Sequence, residues 1–224
     1  FLVNRVGDVG FALGIAACFV LFGAVGFDQV FAAAPDLADA SFTFADIEGH
    51  ALTIACVLLF IGAMGKSAQF PLHLWLPGSL FAPTPVHALL HAGIINAGGF
   101  LINRLAPLFG MSSITLHVAF VVGTLTAVLG ASMMLVQSDI KKTLGFSTIG
   151  QMGYMIMECG LGAFALAIFH LMAHGVFKAT LFLNTGNVIH ASRHEPKRPR
   201  IDHGGDAVPF SRLTWVTGVI VTLI

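Results

Sequence analysis

The stretch that decides the fold is Ala51-Leu-Thr-Ile-Ala-Cys-Val-Leu-Leu-Phe-Ile-Gly-Ala-Met-Gly65, followed by Lys66-Ser-Ala-Gln-Phe-Pro71. The apolar run and its continuation together approach the ~20 residues that cross a bilayer core. The continuation places a lysine, other polar side chains and a proline at membrane depth, and proline removes a backbone donor and disfavours helix before it. Unwound backbone survives at this depth only inside protein or beside a water-filled cavity. We therefore predict a membrane-spanning helix that breaks near Lys66.

The composition of the whole chain is that of a membrane protein. Of its 224 residues, 56% are hydrophobic and 10% are charged, and the mean hydropathy is +0.88, whereas soluble domains carry about 25% charged residues. The formal net charge is zero, so neither nucleic acid nor an anionic surface is indicated as a partner. The isolated cysteines Cys18, Cys56 and Cys159 have no C-x-x-C spacing and read as small buried side chains.

Apolar runs of spanning length predict an all-α, polytopic transmembrane helical bundle with a discontinuous helix. We treat 1–224 as one transmembrane domain with six full spans and the start of a seventh, at 9–27, 51–70, 84–103, 114–137, 143–162, 164–190 and 210–224. An acidic loop, Asp28–His50, joins the first two spans. Because the chain starts at Phe1 and stops inside the seventh run, we expect it to be a piece of a longer protein.

The charges between spans predict the orientation of the bundle. Arg104 and the acidic 28–50 loop lie on one side. The opposite side carries eight lysines and arginines, namely Arg5, Lys141, Lys142, Arg193, Lys197, Arg198, Arg200 and Arg212. The positive-inside rule makes this second set cytoplasmic.

A ladder of ionisable side chains lies inside the span 164–190. His170, His174 and Lys178 recur every four residues and therefore share one helix face. Two histidines at this spacing can bind zinc, but no third ligand of the usual kind follows and H-E-x-x-H is absent. Packing histidines bonded to carbonyls are a second interpretation. We favour a third, a proton relay, because imidazole passes protons through its two nitrogens and ionisable residues within spans mark ion paths.

A second histidine pair, His87 and His91, follows Pro83-Thr84-Pro85 at the start of the third span. His91 would lie about two turns into the membrane. Both histidines are candidates for the proton path, and simple hydrogen-bonded packing is the alternative. For His87, which lies nearer the surface, the two interpretations carry equal weight.

Four charged residues near the ends of spans are auxiliary candidates. Arg5 and Asp8 are i, i+3 neighbours and predict a structural ion pair. Asp139 precedes two lysines in a cytoplasmic turn and has the alternative role of bringing charge to the polar axis. Glu158 lies near the outer end of its span, where a plain loop acid is the simpler interpretation.

Several longer stretches resemble one family. They are Phe1-Leu-Val-Asn-Arg-Val-Gly-Asp8, Gly65-Lys-Ser-Ala-Gln-Phe-Pro-Leu72, Ala82-Pro-Thr-Pro-Val86, Asp139-Ile-Lys-Lys142, Ser147-Thr-Ile-Gly-Gln-Met-Gly-Tyr154 and the His170, His174, Lys178 spacing with Ala179. These stretches cover nearly the whole chain in order. They resemble the antiporter-like membrane subunits, whose best-known members are subunit L of NADH:quinone oxidoreductase (complex I) and the large Mrp-type antiporter subunits.

The resemblance implies inverted five-helix repeats, each with a broken helix, and a hydrated axis of lysines, histidines and glutamates. By match to the motifs, Lys66 would be the broken-helix lysine and His91 would bridge along the axis. His170, His174 and Lys178 would continue it to a second half-channel. The glutamate partner of Lys66 would lie upstream of Phe1 and the terminal lysine or glutamate beyond Ile224, so this piece alone is not expected to pump.

Some positions depart from subunit L, which has other residues where this chain has Gly78 and His87. The stretches His91–Pro107 and Met157–Phe164 are more similar to DabB, which pairs with a zinc-containing, carbonic-anhydrase-like DabA protein in inorganic carbon uptake. The favoured expectation is a DabB-type subunit, and the alternatives are subunit L of complex I or an Mrp-type Na+/H+ antiporter subunit.

The resemblance also sets expectations about location and partners. We expect a multi-pass subunit of a bacterial inner membrane that moves protons or sodium and contacts lipid and other membrane or peripheral subunits, either DabA-like or from complex I. We expect no catalytic residue, cofactor or metal site in this chain and no nucleic-acid partner.

Overall fold

The computed structural model describes residues 2–37, 40–44, 47–79 and 82–194, and the side chains of these except 42–44, 47–49 and 185–194. The predicted seventh span at 210–224 and the basic residues beyond position 194 lie outside the described residues. The described residues up to Val188 belong to one compact unit.

The first part of the chain contains a long helix, a short helix and a hairpin. Helix α1 spans Leu2–Phe22 and α2 spans Phe27–Ala33. Strands β1 (Ser41–Phe44) and β2 (Ile47–His50) pair antiparallel, with the first residue of β1 opposite the last of β2. The segment predicted as an acidic loop therefore contains local structure.

Helices make up the rest of the described chain, which confirms the all-α class. They are α3 (Ala51–Lys66), α4 (Trp75–Gly78), α5 (Thr84–Ala92), a 3-10 turn (Ile94–Asn96), α6 (Ala97–Arg104), α7 (Ala106–Met111), α8 (Ser113–Leu135), α9 (Ile140–Gly160) and α10 (Phe164–His194). The strand pairing seen in the described residues is confined to the hairpin ahead of α3.

Four helical stretches in the described part of the chain are long and apolar enough to cross a membrane: Leu2–Phe22, Thr84–Arg104, Ser113–Leu135 and Phe164–Asn184. Helix α3 is apolar but has only 16 residues, and the polar α9 has 21. A helix lies in each of the first six predicted ranges, although α1 covers 2–22 rather than 9–27. The chain is thus a multi-pass membrane protein, and the number of full spans stays a prediction.

Glycines let α8 and α9 pack backbone to backbone. A Cβ atom added at Gly130 would collide with the backbone of Gly150, and one at Gly153 would collide with that of Ala127. Small residues of this kind bring membrane helices together, because lipid gives little hydrophobic drive to associate them. The opposite side of α8 stays exposed, as at Val121 (62%). The polar α9 is thereby enclosed in the bundle while α8 shields it.

We predict that Gly130→Ala lowers the thermal stability of the full-length subunit in detergent, because the added methyl forces two helix backbones apart. Overpacking of this kind costs about 1–3 kcal/mol. Gly110→Ala is the matched control, since a Cβ there would meet no atom within 4 Å. Its melting temperature should be unchanged or higher, because alanine is the better helix former. Equal melting temperatures for the two variants would contradict the close approach.

Candidate functional site

Helix α3 breaks at the predicted place. It ends at Lys66, and Ala68 then takes a φ of +48°, a left-handed conformation that costs a non-glycine residue about 1–2 kcal/mol. The amide of Gln69 donates to the Met64 carbonyl at 3.0 Å and closes the helix end. The prediction of a discontinuous helix is confirmed.

The predicted span 84–103 is interrupted as well, which the sequence analysis missed. The chain leaves α5 at Gly93, makes a 3-10 turn and re-enters a helix at α6. The Ser67 hydroxyl bridges the two breaks, since it donates to the Ile95 carbonyl at 2.6 Å and accepts from the Gly98 amide at 3.0 Å. One side chain thus satisfies backbone groups that neither interrupted helix pairs internally.

The lysine at the break is paired with an acid from α1. Lys66 Nζ lies 2.7 Å from Asp8 Oδ1, with the two side chains 48% and 34% exposed. The predicted ion pair of Arg5 with Asp8 is also present, at a longer 3.4 Å. The approach of α1 to α3 makes the Lys66 contact possible, because a Cβ on Gly7 would lie only 3.0 Å from the Gly65 Cα atom.

His87 and His91 are both buried in the bundle, at 1% and 0% exposure. Their ring centroids lie 4.4 Å apart, and the Phe182 ring from α10 stacks on His91 at 4.5 Å. His87 Nδ1 lies 3.2 Å from the Ser79 carbonyl. Both nitrogens of His91 lack a hydrogen-bond partner among the described residues.

On α10, the predicted ladder faces α9. Lys178 is 1% exposed, and its Nζ donates to Ser147 Oγ at 2.9 Å and to the Leu144 carbonyl at 3.4 Å. His174, one turn earlier, is 5% exposed, and neither ring nitrogen has a partner within the described structure. The rings of His170 and His174 are 6.2 Å apart. The three side chains therefore form a line of polar groups along one side of α10.

Glu158 belongs to this line. It lies in the last turn of α9, and both carboxylate oxygens are 3.2 Å from His170 Nδ1. The two side chains are only 15% (His170) and 12% (Glu158) exposed. A cavity of about 510 Å³ opens between α9 and α10 and joins the polar groups of both helices, namely Ser147, Gln151, Glu158, His170, His174 and Lys178. The loop-acid interpretation of Glu158 does not describe this environment.

Two further polar residues are placed by the structure. Asp139 caps α9 by accepting the amides of Lys141 and Lys142 at 2.8 and 3.1 Å. His73, which the sequence analysis passed over, stacks on Phe70 beyond the α3 break, and burial lowers the pKa of its imidazole. Within the described residues, no three His, Cys, Asp or Glu side chains come together as a metal site.

Comparison with known proteins identifies the family. Residues 1–222 match the family model described as "NADH:quinone oxidoreductase/Mrp antiporter, TM". The chain belongs to this family. It is therefore an antiporter-like membrane subunit of a kind found in multisubunit complexes, as the sequence predicts.

Relatives in this family come from more than one complex. The chain is 52% identical over 86% of its length to "Probable inorganic carbon transporter subunit DabB1" of Halothiobacillus neapolitanus. It is 42% identical over 100% of its length to "NADH-quinone oxidoreductase subunit L" of Neisseria meningitidis serogroup A. A chain of the Mrp complex from Dietzia sp. DQ12-45-1b superposes with a TM-score of 0.69 and 32% identity, covering 85% of this chain and 21% of its own.

The match covers only part of these relatives. The chain spans about a third of their length, 34% of the DabB1 protein and 33% of subunit L. The activity of the whole protein is accordingly a matter for proposal.

We predict that Asp8→Asn in the full-length, assembled protein lowers ion-coupled activity several-fold, because the neutral amide cannot pair with the Lys66 ammonium as the carboxylate does. Arg5→Gln should have a smaller effect, since the Arg5 contact with Asp8 is longer. If Asp8 acts through Lys66, adding Asp8→Asn to Lys66→Gln should cause no further loss. Fully additive losses in transport rate would contradict the pairing.

Proposed function

We propose that this chain conducts protons through a buried line of lysine and histidine side chains in an antiporter-like complex. The observation that carries the proposal is Lys178, which is 1% exposed and hydrogen-bonds only to neutral groups, Ser147 Oγ and the Leu144 carbonyl, among the described residues. A buried ammonium without a carboxylate partner is costly in a membrane. A lysine relieves this cost by giving up a proton, which an arginine cannot do.

The imidazoles beside Lys178 extend the line in two directions. His174 lies one turn away on α10, and His91 comes from α5 across the bundle. Neutral imidazole accepts a proton at one nitrogen and donates from the other. His174 lines the cavity between α9 and α10, so its buried nitrogens are suited to exchange protons with water there.

Lys66 and Asp8 form the other end of the proposed line. An ion pair at a broken helix can hold a proton on the lysine and release it when the carboxylate moves away. Ser67, next to Lys66, reaches the backbone of the second break, and that break begins two residues after His91. The two interrupted helices thus place Lys66 and His91 on neighbouring elements of one bundle.

The side chains along the proposed line favour protons over sodium as the transported ion. Hard cations take oxygen ligands, whereas the groups along this line that most lack partners are imidazole nitrogens. Transport that persists in sodium-free medium would support this choice, and a strict need for sodium would overturn it.

For the complex, we propose a DabB-type assembly in which ion flow energises uptake of bicarbonate or CO2 on a zinc-containing partner. The higher identity to the DabB1 protein, 52% against 42% for subunit L, supports it. The DabB-like stretch Met157–Phe164, which contains Glu158, supports it too. The alternative is subunit L of complex I, in which electron transfer elsewhere drives outward pumping, and the match to subunit L over 100% of the chain favours that alternative. An Mrp-type antiporter subunit is the third candidate.

We further propose a bacterial inner membrane as the location, with Lys141 and Lys142 on the cytoplasmic side. Bacterial relatives in Halothiobacillus and Neisseria support the location. The positive-inside rule supports the orientation.

We predict that Lys178→Arg lowers proton transport by the full-length, assembled protein in proteoliposomes at least tenfold, measured with a pH-sensitive dye. Arginine keeps the positive charge but holds its proton at all relevant pH values. Thr180→Val on the same helix is the matched control, because Thr180 is exposed and its hydroxyl bonds the Val176 carbonyl within its own helix. Undiminished transport by Lys178→Arg with normal assembly would contradict the relay.

Two further results separate the candidate functions. A purely structural membrane anchor requires Lys66→Ala to leave ion-coupled activity intact, so loss of activity with normal assembly excludes it. Purification of the tagged, full-length protein should bring down a large zinc-binding partner. Recovery of flavin and iron–sulfur subunits instead would establish the complex I alternative.

A further inference from the structure

We propose that Glu158 and His170 form a proton port, the place where the buried line exchanges protons with water at the end of the bundle where α9 finishes and α10 begins. The inference rests on the proposed function and extends it to the outer end of the line, at Glu158 and His170. Four observations carry it: the contact between the two side chains, their burial, their position in the helices and the cavity behind them.

The contact is symmetrical. Both oxygens of Glu158 lie 3.2 Å from His170 Nδ1, so whichever oxygen is used, the imidazole N–H can donate to it. The exposed fractions of 15% for His170 and 12% for Glu158 are low for charged groups at a helix end. A carboxylate kept this far from water is normally paired, and here its partner in the described structure is an imidazole.

The pair lies beside the turn that joins α9 to α10. Glu158 lies in the last turn of α9, which ends at Gly160. The chain turns at Gly162, whose φ is +75°, and the Ala163 amide donates to the Glu158 carbonyl at 3.0 Å as α10 starts. The carboxylate is thus held beside a tight interhelical turn, at the opposite end of α9 from Lys141 and Lys142.

The pair also faces the buried groups. Glu158 and His170 line the same cavity of about 510 Å³ as His174 and Lys178. Along α10, His170 is one turn from His174, which is one turn from Lys178. Glu158 is therefore the outermost member of a line whose inner end is the buried lysine.

Among the described residues, Glu158 has no second carboxylate beside it at the port. Of the helices packed against α9, α10 contributes His170, His174 and Lys178 among its described side chains. Helix α8 contributes the exposed His117, and α6 contributes Arg104, which stacks on the Phe27 ring at 4.8 Å. Helix α4 contributes no titratable group. Glu158 is accordingly the one carboxylate that lines the cavity.

The proton step is balanced without any further reactant. A proton from the cavity binds His170 Nε2, and the Nδ1–H bond breaks as an O–H bond forms on Glu158. The histidine is left neutral, with its proton on the other nitrogen, and the protonated carboxyl then loses its proton to water at the helix end. Transport in the opposite direction runs the same steps in reverse.

The first test measures proton transport by the full-length, assembled protein in proteoliposomes. We expect Glu158→Gln to lower the rate at least tenfold, because the amide cannot take up the proton. Glu158→Asp should restore part of the rate, since it keeps the carboxylate on a shorter side chain. Tyr154→Phe, one turn earlier on α9 and 51% exposed, is the control and should transport at the normal rate.

The second test measures which side of the membrane the port faces, using a membrane-impermeant maleimide. The native cysteines Cys18, Cys56 and Cys159 are 9% exposed or less, so their background labelling should be low. Glu158→Cys should label from the side opposite to that from which Lys142→Cys labels. Labelling from the same side, or from neither side, would overturn the port.

The outcomes separate the two proposals. Normal transport by Glu158→Gln, together with loss in Lys178→Arg, would remove the port and leave the proposed function standing. Normal transport by Lys178→Arg would remove the proposed function itself. Equal loss in Glu158→Gln and Glu158→Asp with reduced assembly would show a merely structural carboxylate and also overturn the port.

Discussion

The Ser67 hydroxyl holds together two helix breaks that would otherwise leave backbone groups unpaired at membrane depth. In a bilayer each such group must find a partner within the protein. By donating to the Ile95 carbonyl and accepting from the Gly98 amide, Ser67 satisfies one group of each kind in the second break. Ser67 can make both hydrogen bonds only if α3 and α6 pack closely. A Cβ on Gly98 would clash with the Ser67 hydroxyl and the Ala63 carbonyl.

Close packing through small residues is the rule throughout the bundle. Gly7 against Gly65 brings α1 to α3, and with it Asp8 to Lys66. Gly130 against Gly150 brings α8 to α9, which leaves the other side of α9 free to face the ladder on α10. The polar line therefore depends on helix backbones that touch, since these close approaches bring its charged side chains within bonding distance.

The sequence predicted the helical class, the break near Lys66 and the shared face of His170, His174 and Lys178. These follow from composition, from proline and glycine, and from the period of a helix, all of which are local. It did not predict the break at Gly93, because isolated glycines in an apolar run also occur in intact membrane-spanning helices. It predicted Arg5 as the partner of Asp8 but not Lys66, since only helix packing brings residues 58 positions apart in the chain into contact.

Glu158 shows where prediction from the sequence ends and the tertiary structure is needed. Its position near the end of a span could be read from the sequence, and so could the histidine ladder across the turn. Whether the carboxylate faces water or His170 depends on how α9 rotates against α10, which the turn at Gly162 and the packing of α8 decide. By itself the sequence determined which groups are too polar for lipid. The tertiary structure decided which of them meet, because ion pairs and proton transfer depend on distances of about 3 Å that local pattern cannot set.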